Sequence, residues 1–457
     1  MWVSRIFCNF APVPILPLTK KQIFLVIWAL LVSLHLQAQS EVAKELQADV
    51  NRAAGLHYAR PVGKLPKDTP APAGKKPFYI NHYGCPGSYY RETTALYEEP
   101  YQVFAKADSL GKLTKLGHEV KMRLELLRRD AKDRTGELTS KGALQSRELM
   151  RQMVLRFPDM FTSKGYYSGR SIVENHCILT VEEAMVQLSS MVQPLQMNVT
   201  ASHREDVFMN PQDKKLEEQR WDSLTRAHYE RFLALNSGNA RLMESLFTDQ
   251  NFVITTIDPE VLSRQLFVLA GSIQHTDLSG AISLFDLFTP VEIQSHWKKL
   301  NAKNYIDNGA CTLNGGTQPF MQRTVLRNMI HMGDSALKRY NPMFHLRYTH
   351  ENVVLALACL MELDNCGLQT DNLDGLGDLG WVNYRIAPLG GSIEMIHYRS
   401  ERGDPDVLVK VLLNGHEARL PIETDCAPYY HWQDVKRYYL RKLYRYENIR
   451  LNEQINR

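Results

Sequence analysis

Residues 79–90, Tyr-Ile-Asn-His-Tyr-Gly-Cys-Pro-Gly-Ser-Tyr-Tyr, decide how the chain folds. The run 78–83 is short, apolar and aromatic, the composition that fills a strand. Gly84 and Gly87 then break it into a loop. Downstream, 97–128 reads as helical and strongly charged. Leu138-Thr139 opens a further helix with apolar Leu144, Met150, Met153, Val154 and Phe157, and Pro158 ends it. Residues 171–188 read as a turn followed by an amphipathic helix. Strand-like runs return late, at 344–348, 383–386, 393–398 and 407–413. Helices at about 352–363 and 433–446 lie among them, so the pattern is that of an α/β core. Residues 210–325 differ: they are polar, dense in charge and punctuated at Asp258-Pro259, Thr289-Pro290 and Gly315-Gly316. They read as a mostly helical insertion, and no internal repeat is visible.

The chain has 457 residues, 44% hydrophobic and 23% charged, enough for a sizeable core divided among two or three domains. Its net charge is +4, of which Arg5, Lys20 and Lys21 supply three, leaving a nearly neutral body. Nucleic-acid binding through bulk charge is thereby excluded. Lys20-Lys21, the apolar run 23–36 and the small Ala38 have the order of an export signal cleaved near Ala38. The run falls short of the about 20 apolar residues of a membrane span, and a retained anchor is the competing reading. The expected mature protein is periplasmic or extracellular, with no span. Cys8 leaves with the signal. Cys85, Cys177, Cys311, Cys359, Cys366 and Cys426 remain, and spacing alone does not pair them. No C-x-x-C appears, so no metal site is expected. Asn198-Val-Thr200 matches a glycosylation acceptor. The expected division is 1–38 signal peptide, 39–77 helical lead-in and Pro-rich linker, 78–209 first part of the core, 210–325 helical cap, and 326–457 second part of the core.

Three stretches carry a resemblance: 79–90 quoted above, Leu138-Thr-Ser-Lys-Gly142 with its helix down to Arg156-Phe-Pro158, and Leu346-Arg-Tyr-Thr-His-Glu351. With 407–413 and Pro428-Tyr-Tyr-His-Trp432, they make the chain resemble the histidine acid phosphatases over about 78–446. The branch is that of the phytases and multiple inositol polyphosphate phosphatases. The resemblance implies a mixed β-sheet flanked by helices, an inserted helical cap, no cofactor and no metal. It also implies a signature R-H-G-x-R after the first strand, in which the His attacks phosphorus and the Arg residues hold phosphoryl oxygens. On this chain the first Arg position is Cys85, the nucleophile position is Pro86 and the second Arg position is Tyr89, while a later Arg position falls at His176. His350 matches the downstream His and Glu351 the acid.

Proline offers no lone pair for attack on phosphorus, and neither Tyr nor Cys reproduces a guanidinium fork. The expectation is therefore an inactive pseudophosphatase that binds a small anionic or sugar-like ligand, or a partner protein. The alternative is an active phosphomonoesterase with an unrecognised nucleophile. Cys85-Pro-Gly-Ser-Tyr-Tyr-Arg91 also satisfies C-x5-R, the phosphate loop of cysteine-dependent phosphatases, although a coincidence on a two-letter pattern is the plainer reading. For His350 and Glu351, weak anion binding and a structural role at a helix start stand side by side. His82 reads as a packing residue, and His176 as surface or packing with part-time charge below its pKa.

Overall fold

The computed structural model describes residues 40–64 and 67–455, so the export segment 1–38 lies outside the described residues, as does Pro66 of the linker. The run that opens the sequence reading forms β1 (Lys76–Gly84), buried from Phe78 onward. Burial on both faces explains why it shows no polar alternation. Seven more strands join it: β2 (Tyr166–Ser171), β3 (Met197–Ala201), β4 (Met343–Tyr348), β5 (Ser392–Arg399), β6 (Leu408–Leu413), β7 (His416–Ala418) and β8 (Tyr430–His431). The order is β3-β2-β4-β1-β5-β6-β7, with β8 on β6. The first four are parallel to one another, while β5 pairs antiparallel with β1 and β6, β7 and β8 follow antiparallel. The sheet is therefore mixed. Gly84 and Ser171 are both paired with Tyr348, so β1, β2 and β4 end together. A crevice at the C-terminal ends of parallel strands is where open α/β sheets place their ligands.

Helices of eight residues or more are α1 (Glu41–Ala48), α2 (Ala95–Ser109), α3 (Lys115–Asp130), α4 (Ser140–Arg156), α5 (Asn175–Met191), α6 (Ser223–Leu235), α7 (Pro259–Ser272), α8 (Pro290–Asn308), α9 (Arg323–Leu337), α10 (Glu351–Met361) and α11 (Trp432–Ile455). The Thr139 hydroxyl caps α4 by accepting from the Gly142 amide, as the Leu138-Thr139 signal predicts. Helices α4 and α5 pack against each other, and α9 packs on β1. The span 97–128 is two helices, broken where Gly111 takes φ +65°. A second apolar cluster joins Phe104 and Leu124 of α2 and α3 to Phe247, Leu266 and Trp297. The helical layer thus draws on both sides of the sequence.

Two expectations are corrected. Residues 383–386 form a helical turn instead of a strand. The Asn383 carboxamide oxygen accepts from the Tyr384 amide and from Trp297 Nε1, and the Asn383 amide donates to Asn301 Oδ1. Side chains that satisfy the backbone locally remove it from a ladder. Strands β2 and β3 have no counterpart in the sequence reading. The six cysteines among the described residues are free thiols, five of them buried. No helix among the described residues is long and apolar enough to cross a membrane.

Candidate functional site

The loop that follows β1 is tied down at almost every amide. Cys85 N donates to Gly391 O at 2.8 Å, Gly87 N to Thr180 Oγ1 at 3.1 Å, and Ser88 N to Gln145 Oε1 at 3.1 Å. Tyr90 N donates to Glu137 O at 2.9 Å and Arg91 N to Tyr97 Oη at 3.0 Å. Pro86 has no amide to give, and its carbonyl accepts from Gly390 N at 2.8 Å. A phosphate loop works because its N–H groups converge on an anion; here they are consumed by the protein. The loop also lies flat on the start of α4, where a Cβ on Gly142 would stand 2.1 Å from Ser88 O. Only glycine permits that approach.

The C-x5-R reading fails on the sulfur as well. Cys85 is fully buried, and burial followed by the nearby Glu351 carboxylate pushes its thiol well above the ordinary range. The thiolate is the nucleophile in such chemistry, so this thiol is inert.

Tyr89 and His176, at two guanidinium positions of the resemblance, stack face to face with ring centroids 4.1 Å apart and planes 9° apart. Both are buried. His176 projects from the first turn of α5, whose entry is set by the end of β2. Burial, and then the neighbouring His350, lower its pKa to about 4. It therefore stays neutral at pH 5–6, and the expected part-time charge is corrected to none in that range. The packing reading holds.

His350 and Glu351 stand at the turn between β4 and α10. His350 is the N-cap residue but makes no side-chain cap bond, and its ring lies 6.1 Å from that of His176. Glu351 is 5% exposed, with Oε1 unpartnered. Burial raises its pKa, against smaller opposing effects of its own amide, His350 and Arg91.

Tyr89, His350 and Glu351 face a cavity of about 440 Å³, lined also by His57, Arg91, Glu92, Leu96 and Val268, whereas His176 is covered by Tyr89 and does not line it. Arg91 makes no ion pair with another described residue. Tyr89 Oη lies 3.3 Å from His57 Nε2. His57 is held neutral by burial. The cavity thus offers one guanidinium against two carboxyl groups, with the neutral imidazole of His57 and the ring of His350 beside them. Pro86 and Cys85 do not line it.

Sequence reasoning missed His57 and Glu92, and named Arg91 only as the last residue of the C-x5-R pattern. Arg91 and Glu92 directly follow the loop and could have been taken from that adjacency. His57 arrives from the lead-in, with no local signal. Two groups of potential ligand side chains, which the spacing of the cysteines does not signal, are brought together by the fold. Glu92, His176 and His350 place their ligand atoms within 4.8 Å of one another, as do Asp425, Cys426 and His431 on the surface. His82 packs on β1, 6% exposed, away from this cavity.

No family model matches the chain, and no curated protein matches it. Solved structures do. The multiple inositol polyphosphate phosphatase of Bifidobacterium longum, in complex with inositol hexasulfate, superposes with TM-score 0.71 at 13% identity, covering 84% of this chain and 97% of that one. The phytase from D. castellii gives TM-score 0.62 at 14% identity, covering 89% of each.

Proposed function

We propose that this chain, which has the fold of the multiple inositol polyphosphate phosphatases and phytases, is an exported binding protein that has given up phosphoryl transfer. The observation that carries the reading is the Tyr89–His176 stack, which fills the ground where a phosphate dianion would need guanidinium forks. Pro86 at the nucleophile position and the consumed loop amides support it independently. Phosphoryl transfer depends on positioning and charge stabilisation, and the residues facing the cavity offer a single guanidinium, Arg91, for both. A cavity of about 440 Å³ is ample for a small molecule. With one arginine, two glutamates and hydrogen-bonding rings, it suits a polyhydroxylated ligand of low charge better than a polyphosphate.

The test is direct. Purified protein incubated with p-nitrophenyl phosphate or inositol hexakisphosphate between pH 4 and 8 should release no phosphate above background. Loss of a catalytic nucleophile costs on the order of a millionfold in another hydrolase. Turnover abolished by His350→Ala and retained in Cys85→Ser would overturn the binding-protein reading in favour of a phosphomonoesterase using the retained pair. The buried thiol makes a cysteine mechanism the weaker form of that alternative.

A further inference from the structure

Glu92, His176 and His350 come from three separate elements: the stretch after the loop, the start of α5 and the end of β4. Two imidazoles and one carboxylate, with all three ligand atoms within 4.8 Å of one another, form a donor set found at exchangeable zinc sites. A second observation points the same way. His176 is 1% exposed, yet neither Nδ1 nor Nε2 makes a hydrogen bond of good geometry, the Gly136 backbone only inclining the ring toward its charged form. Leaving a buried polar atom unpaired costs about 1–3 kcal/mol, so an imidazole with both nitrogens unpaired asks for an occupant. Its Nε2 faces Glu92 Oε1 at 3.7 Å.

We propose that Glu92, His176 and His350 bind a divalent first-row transition ion of the zinc class at the inner wall of the cavity. Two ligands about 2.1 Å from a common ion can stand no more than about 4.2 Å apart. His176 Nε2 and Glu92 Oε1, 3.7 Å apart, already stand within that limit, so only small side-chain adjustments complete the set. The residues that must move are free to do so: the Glu92 side chain is 54% exposed, and His350 is half-buried with no capping bond. His176 is the fixed member, held by its stack on Tyr89. Three protein ligands leave further coordination positions facing the cavity, as at sites that exchange water for another ligand. The ion would return positive charge to a wall from which the guanidiniums of the resemblance are absent, and would give hydroxyl or anionic groups an oxygen-binding centre.

The surface cluster is the natural control. His431 spends Nδ1 on Asp406 Oδ1 at 2.6 Å and Nε2 on Asp425 Oδ1 at 3.0 Å, so it has no nitrogen to spare.

The experiment uses the full chain, stripped with a chelator and titrated with Zn²⁺ against a chromophoric competitor at pH 7.5, with Co²⁺ absorption as a second readout. One equivalent should bind with micromolar or tighter affinity. His176→Gln should weaken binding at least about 100-fold and Glu92→Gln at least about 10-fold, both with loss of the Co²⁺ ligand-field bands, while His431→Ala leaves them unchanged. Glu92 is exposed, so its substitution reports on binding without risk to folding. Full affinity in Glu92→Gln, loss confined to His431→Ala, or no stoichiometric binding at all would each overturn the proposal. None of these outcomes bears on phosphatase activity, so this test and the preceding one fail separately.

Discussion

Two cavities flank the loop that follows β1, and they divide the protein's charge unequally. The open one in front holds the unpaired Arg91 with Glu92 and Glu351. The small one behind, about 40 Å³, is lined by Arg60, Arg156, His82, Ser392 and Glu394. Both rear arginines are committed. Arg60 donates to Gly390 O at 3.1 Å, and Arg156 makes a two-pronged pair with Asp68 at 2.6 Å per contact and donates to Gly415 O. Cys85 lies between, its thiol sensing Glu351 on one side and Arg60 on the other. The difference teaches that the rear guanidiniums are tied into the architecture, while the front cavity keeps a single uncommitted guanidinium among carboxyl groups and rings. His82 and Glu394, 3.7 Å apart, are not an ion pair: burial lowers the imidazole to about 4 and raises the carboxyl.

The largest expected effect comes from what the two sides share, namely histidines buried neutral. His82 borders the rear cavity, His275 backs the front loop through Ser88 Oγ at 3.1 Å, and His296, His345 and His397 lie deeper. Burial lowers them to about 4, 3, 4, 3 and 3 respectively. Unfolded, each titrates near 6.5. Their stabilisation is therefore complete above pH 6.5 and is lost as pH falls toward the folded values. Five such groups approach about 7 kcal/mol per pH unit, against a total stability of about 5–15 kcal/mol. Glu351 and Glu394, whose pKa values are raised, act in the opposite direction but are fewer. Circular dichroism should show cooperative unfolding between pH 6 and 4. A protein still native at pH 3 would mean these rings are hydrated, and the contrast between dry rear and open front would dissolve.

A smaller effect separates the two cavities by substitution. The Arg156 side chain is 7% exposed and anchors Asp68. Arg156→Met removes one partner of a buried pair and should cost about 3 kcal/mol. Lys410, 3.0 Å from Asp68, softens the loss. Thermal denaturation at pH 7.5 measures it. A loss below about 0.5 kcal/mol would deny the rear arginine its structural role.

Much of this arrangement was legible in the sequence, and the limits were physical. β1 declared itself because 78–83 is short and rich in aromatic and aliphatic residues ahead of a glycine loop, and α4 because Thr139 caps it. The β4–α10 corner was legible through Thr-His-Glu between a strand-like and a helical run. Pro86, Tyr89 and His176 could be assigned to positions because a motif is local. Their stacking could not, since it depends on β2 ending level with β4. β2 itself, Tyr-Tyr-Ser-Gly-Arg-Ser, has too few apolar residues to signal a strand, and β3 is largely exposed at the sheet edge. His57 and Glu92 reach the cavity across separations that no periodicity records.

The smallest expected effect is at Arg91, where the comparison is sharpest. Its amide bond to Tyr97 Oη belongs to the backbone and survives any non-proline substitution. Its guanidinium borders the cavity and has no carboxylate partner among the described residues. Arg91→Met should therefore change stability by less than about 0.5 kcal/mol, as for a surface position free of special contacts. The same substitution removes the one guanidinium facing the front cavity. Phosphate should bind about tenfold more weakly to the variant than to the unaltered protein, in line with the roughly 1.5 kcal/mol of one charge-assisted hydrogen bond. Calorimetric titration with inorganic phosphate in chelator-treated protein, beside a melting curve, reads both quantities. A large loss of stability with phosphate binding untouched would make Arg91 a structural residue like Arg156, and the two cavities would no longer differ in what they ask of arginine.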